Sequence, residues 1–151
     1  MTVVPVVSVV ESLSSTINQT GLQTYLASVT ASASGCGTVD GSNGSLNSDN
    51  TVNICEFLPS WAVMVGLETA NTATNWVEGA AEFYDGPDTN AAGETVTSGT
   101  TAIPLTVSFP YENGAVLYTS YHTNDVSTET TEFLPQERIL QFLILDVLGS
   151  L

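Results

Sequence analysis

Lysine is missing altogether from this 151-residue chain. One arginine, Arg138, and one histidine, His122, stand against 16 acidic residues, a net charge of -15. A nucleic-acid binder needs clustered cations to displace counterions from phosphates, and here there are none to cluster. The same deficit excludes attraction to anionic membrane surfaces. No apolar run approaches the roughly 18 residues that a membrane helix needs, so membrane insertion is not expected. Charge of either sign is scarce, at 11% of residues, and Ser and Thr must cover most of the surface. That is unlike the densely charged exterior of a typical cytosolic domain. Surfaces of this kind suit secreted adhesins and surface-layer proteins, where excess negative charge aids solubility or attracts calcium. An extracellular or cell-surface location is the expectation.

Cysteine is also scarce. Cys36 and Cys55 flank a segment rich in Gly, Ser, Asn and Asp, and a bridge closing a loop of about 20 residues adds roughly 3 kcal/mol. Two free thiols are the alternative, because pairing depends on geometry that spacing does not give. The spacing fits no zinc pattern, and one histidine leaves few ligands to complete a site. Met1 leads straight into Val3, Val4 and Pro5 without the basic n-region of a secretory leader, the pattern of a mature domain or an excised segment.

What is present points to a folded α/β domain. Hydrophobic residues make up 42% of the chain, too many for a disordered polymer, and the length suits one domain spanning 1–151. Val3 to Val10 reads as a buried β-branched strand. Leu22, Tyr25, Leu26 and Val29 form one helical stripe that Asn18 or Thr20 caps. Polar, glycine-bearing loops follow near 31–53 and 85–101. Two short strands are expected around Pro59, and another from Asn75 to Phe83. Ile103, Leu105, Val107 and Phe109 alternate with Pro104, Thr106 and Ser108, Asn113 and Gly114 supply a turn, and Ala115 to Tyr121 returns as an interior strand. Pro135 opens a last helix, apolar almost all round and therefore expected to be buried, that ends at Gly149. The expected architecture is a mixed β-sheet with a C-terminal hairpin and a buried closing helix.

Two segments, Leu58-Pro59-Ser60-Trp61-Ala62-Val63-Met64 and the run from Pro104 through Asn113-Gly114 to Ser120-Tyr121-His122, resemble the later part of class I glutamine amidotransferase-like domains of large secreted bacterial proteins. The resemblance implies a flavodoxin-like fold, or a fragment of it. In catalytic members of that superfamily the histidine is followed, one residue on, by a glutamate, and both serve a cysteine on a strand-to-helix turn. Here Thr123 and Asn124 follow His122, and the acid position is not filled. Cys36, in Ser34-Gly35-Cys36-Gly37-Thr38, leads into a polar loop instead of a helix, so the context of a nucleophile elbow fails. A degenerate hydrolase is the least favoured reading.

The candidate ligand-binding residues are His122, Tyr118, Tyr121 and Asp125, grouped at the end of the return strand; a structural histidine bonded to a loop carbonyl is the competing role. Asp40, Asn43 and Asp49, with Asn47 and Asn50 nearby, supply the hard oxygens that calcium selects, although no glutamate completes an EF-hand. Asp85, Asp88 and Asn90 form a similar cluster. Trp61, Trp76, Tyr84 and Tyr111 have the rings that stack on sugars, but Trp61 and Trp76 lie in strand-like runs and suit a core. Asn18-Gln19-Thr20 and Asn43-Gly44-Ser45 fit the N-glycosylation pattern.

The expected function is non-catalytic: a binding or adhesion module of a larger secreted protein whose ligand is a small molecule, a glycan or a protein. A self-assembling subunit of a filament or surface layer, bound to copies of itself, is the alternative. Calcium, bound only by the folded chain, raises the melting temperature with occupancy and EDTA reverses the rise; identical melts in calcium and EDTA would contradict the calcium expectation.

Overall fold

The computed structural model describes residues 2–5, 10–31, 45–57, 62–67, 72–81, 83–84, 96–97, 102–121 and 133–149. The strands are β1 (Thr2–Pro5), β2 (Val10–Ile17), β3 (Thr51–Phe57), β4 (Ala62–Gly66), β5 (Thr74–Gly79), β6 (Phe83–Tyr84), β7 (Val96–Thr97), β8 (Ile103–Tyr111) and β9 (Gly114–Thr119), and the helices are α1 (Thr20–Ser28) and α2 (Pro135–Gly149). Five strands form an open sheet in the order β3-β2-β5-β8-β9, while β1 pairs with β4 and β6 with β7. Every one of these pairings is antiparallel. The expected α/β class, the hairpin and the closing helix are present. The sheet is antiparallel, however, in place of the mixed sheet expected from the sequence.

One cluster joins the sheet to the helices. Leu13 and Ile17 from β2, Val52 and Ile54 from β3, Val77 from β5, and Ile103 and Leu105 from β8 meet Leu22 and Leu26 of α1 and Ile139 and Leu143 of α2. Burying each such side chain contributes about 1.5–3 kcal/mol. Leu46, from the end of the first polar loop, belongs to the same cluster, held there by hydrogen bonds from Ser45 N to Leu26 O (2.8 Å) and from Asn47 N to Thr51 O (2.9 Å).

Strand β2 was not expected beyond Val10. Its buried face carries Leu13, Ser15 and Ile17, and Ser15 breaks the apolar alternation by which a strand is recognised. The reason for a small residue lies next door. Ser15 pairs with Gly79 of β5, where an added Cβ would stand 2.9 Å from both Ser15 Oγ and Leu105 Cδ1. The two strands close on each other because neither position carries bulk, and Ser15 Oγ is satisfied by donating to Leu13 O at 3.1 Å.

Three further expectations are corrected. Gln19, not Asn18 or Thr20, is the N-cap of α1, and it makes no side-chain cap. The hairpin turns on Glu112 and Asn113, since Tyr111 pairs with Gly114, and Glu112 takes the left-handed φ of 51° that a glycine or asparagine adopts more cheaply. The return strand β9 is an edge of the sheet, with residues 114–116 exposed, and is not interior.

Helix α2 begins at Pro135, as expected. Glu137 Oε2 accepts from Leu134 N at 2.7 Å, while Glu137 N and Arg138 N donate to Leu134 O, so the carboxylate half of a capping box fixes the entry. The following buried residue, Gln136, reaches the edge strand β3: Cys55 N donates to Gln136 Oε1 (3.3 Å) and Gln136 Nε2 donates to Cys55 O (3.0 Å). A side-chain amide thus takes the place of a neighbouring strand. Gln136→Ala, and Gln136→Met at nearly equal volume, are expected to cost about 2–4 kcal/mol because both leave the Cys55 backbone groups buried and unpaired. Chemical denaturation of both variants checks this; a Met variant as stable as the parent would assign the contact to packing alone.

Candidate functional site

The outer face of α2 offers the site best defined by the described residues. Ile139 and Leu143 point into the core, and Gln136 grips β3 on the same side. With 3.6 residues per turn, Glu137, Leu140 and Ile144 then fall in one row along the flank of the helix, and Phe133 lies just before its first turn. Together with Gln141 and Leu145 they line a shallow groove of about 380 Å³. Phe133 is 47% exposed, Ile144 47% and Leu145 59%, a concentration of open apolar side chains on one helix. The all-round apolar helix was expected to be buried; among its described side chains Pro135, Gln136, Ile139 and Leu143 are buried and Ile144 and Leu145 are exposed. Asp146, seven residues after Ile139 and on the same side, is exposed.

The rotation of α2 is fixed by polar contacts to α1. Gln141 Oε1 accepts from Tyr25 OH at 2.6 Å and from Arg138 Nη1 at 2.9 Å. Arg138 Nε donates to Thr30 O at 2.9 Å, just beyond the C-terminus of α1, where helix carbonyls lack partners and a cation is favoured. The same guanidinium lies 4.4 Å above the Phe133 ring. Phe142 packs between Tyr25 (centroids 5.4 Å apart) and Trp76 (6.1 Å), and Trp76 Nε1 donates to Ser108 Oγ at 2.8 Å. Trp76 is a packing residue, as its strand-like run implied.

The residues singled out from the sequence are not gathered by the described chain. His122 and Asp125 lie outside the described residues. Tyr118 is half-buried on β9 opposite Val107. Tyr121 is a core residue, 3% exposed, with its hydroxyl 2.5 Å from Thr106 Oγ1; this contact also explains why Thr106, expected on a polar face, is buried. Just before Tyr121, Ser120 Oγ is buried without a hydrogen-bond partner among the described residues.

Of the calcium candidates, Asp40 and Asn43 lie outside the described residues, as do Asp85, Asp88 and Asn90. Asp49 is exposed, and its carboxylate accepts from Thr51 N (3.1 Å) and Thr51 Oγ1 (2.6 Å), the work of an Asx turn. Among the described residues no group of three or more His, Cys, Asp or Glu side chains is placed to hold a metal ion. Cys55 is disulfide-bonded; Cys36, the other cysteine of the chain, lies outside the described residues, as does Trp61. The side chain of Tyr84 is likewise outside them, while Tyr111 is 64% exposed at the hairpin tip. Sequence reasoning missed Gln136 and the outer row of α2, although the recurrence of Phe133, Glu137, Leu140 and Ile144 at steps of four, three and four was there to be found.

Burial pushes the Tyr121 hydroxyl well above its ordinary range, against a smaller opposing effect of the Thr106 hydrogen bond. The unfolded hydroxyl releases its proton near pH 10, while the folded one holds it. Above about pH 10 the unfolded state therefore binds fewer protons, and stability falls by up to roughly 1.4 kcal/mol per pH unit; below that pH the contribution is whole. Tyr121→Phe is expected to remove this alkaline loss while costing about 1–2 kcal/mol at neutral pH for the stranded Thr106 hydroxyl. Melts from pH 7 to 11.5 check it, and parallel alkaline losses in both proteins would contradict it. No family model matches the chain, and no curated protein or solved structure matches it.

Proposed function

We propose that the chain is a non-catalytic binding or adhesion module of a larger secreted or cell-surface protein, and that it docks a partner on the outer face of α2. The observation that carries this is the row of exposed apolar side chains around Ile144 and Leu145 on a helix whose inner face is firmly anchored. Apolar rows of this spacing receive amphipathic helices. With Glu137 in the groove and a net charge of -15, the favoured partner has an apolar face flanked by cations; a second copy of the chain would bring like charge to the contact. The disulfide at Cys55 and the absence of lysine suit an oxidising, extracellular setting. Among the described residues no helix is long and apolar enough to cross a membrane.

Assembly is the second reading, favoured by β9. That strand is an edge of the sheet, and Gly114-Ala115-Val116-Leu117-Tyr118-Thr119 carries no charge, whereas natural edges are commonly guarded by lysine, proline or a covering side chain. On the opposite edge, β3, the backbone of Cys55 is paired with Gln136. The resemblance to amidotransferase-like domains has no catalytic residue on the described chain to rest on, and hydrolysis is not proposed.

A model helical peptide with one leucine face and one lysine face serves as the probe, and a leucine/glutamate peptide as its control. Fluorescence anisotropy is expected to show binding of the lysine peptide alone, weakened at least tenfold by Ile144→Asp or Leu145→Asp with little change in melting temperature. Equal binding of both peptides, or binding indifferent to these substitutions, would overturn the docking face. Polymers seen by light scattering of the unmodified chain, dispersed by a lysine placed at Val116, would favour assembly instead.

A further inference from the structure

We propose that Asn18 is an acceptor site for an N-linked glycan, an inference that rests on the secreted reading above. Two segments of the chain fit the acceptor pattern, and the structure treats them differently. Asn18-Gln19-Thr20 lies at the corner between β2 and α1. Gln19 is extended, with φ -107° and ψ 124°, so the side chains on either side of it project in the opposite direction from its own. The Gln19 amide turns inward and donates to Asn75 O at 3.1 Å. Asn18 and Thr20 are both exposed, which puts the acceptor amide and the hydroxyl that the pattern requires on one open side of the chain.

The backbone beneath is fixed by donation from Asn18 N to Trp76 O at 3.0 Å, and Gln23 Nε2 holds Ile17 O at 2.6 Å. The corner is thus built from the backbone and from Gln19 and Gln23, and a sugar on Asn18 displaces none of these contacts. In the second pattern, Asn43-Gly44-Ser45, the hydroxyl is already committed. Ser45 is 1% exposed, and its Oγ donates to Val29 O at 2.6 Å. Asn43 itself lies outside the described residues.

The step needs a lipid-linked oligosaccharyl pyrophosphate as co-reactant. A bond forms between Asn18 Nδ2 and the anomeric carbon of the first sugar. The bond from that carbon to the pyrophosphate oxygen breaks, the electron pair leaves with the pyrophosphate, and the amide nitrogen gives up one proton. Nothing is oxidised or reduced.

The test is secretion of the full chain behind a leader in a host with asparagine-linked glycosylation, followed by mass spectrometry before and after digestion with a glycan-releasing amidase. The expected result is a mass above that of the polypeptide, collapsing on digestion with Asp at position 18. Asn18→Gln and Thr20→Ala should each remove that glycan, Thr20→Ser should keep it, and Asn18→Gln should melt like the parent. Secreted protein bare at Asn18, or carrying sugar at Asn43 alone, would overturn the proposal. Because the leader imposes the route, a bare Asn18 counts against the site, whereas finding the native protein inside cells counts against the secreted reading.

Discussion

The Gln136 amide, wedged against the backbone of Cys55, holds α2 on the edge strand β3, and the exposed row on that helix follows from it. An edge strand presents unpaired N–H and C=O groups, which are costly if buried and adhesive if left open. At Cys55 both are taken by one side chain. Having used its inner side on β3 and the core, α2 keeps an outer row of apolar residues in solvent. The only arginine of the chain locks this rotation by reaching the end of α1, so a chain nearly devoid of cations spends its single one on the junction of its two helices.

The sheet obeys a second close-range constraint. β2 and β5 pack at Ser15 and Gly79 with no room for a further carbon. The sequence pattern hides this: a strand whose inward face reads Leu, Ser, Ile looks polar, and only its neighbour explains the serine. The same logic applies to Thr106, buried because Tyr121 supplies its hydrogen bond. Elements whose apolar spacing is complete within themselves were legible, namely α1, the β8–β9 hairpin and the start of α2 at Pro135. Features set by a partner strand were not, including the antiparallel order of the sheet and the edge position of β9. The turn was misplaced by one residue because Asn113-Gly114 has the stronger local preference, yet the observed register places Glu112 at positive φ.

The site was legible only in part, for a similar reason. Composition carries the expectation of no nucleic-acid partner and directs attention to uncharged and apolar recognition. Tyr121, however, looks like a ligand contact beside His122 until its ring is found in the core. Conversely, an apolar run from Ile139 to Leu148 reads as wholly buried, and nothing local says that Ile139 and Leu143 face inward while Ile144 and Leu145 stay exposed. That split is decided by Gln136, a polar residue whose meaning depends on a strand 81 positions away.

Amide hydrogen exchange at Cys55 tests this account most directly. If Gln136 closes the β3 edge, the Cys55 amide is protected as strongly as those in the middle of β2 and β5, despite lying on an outer strand. Exchange at the rate of an open edge amide would contradict it, and would remove the reason for α2 to present its outer face.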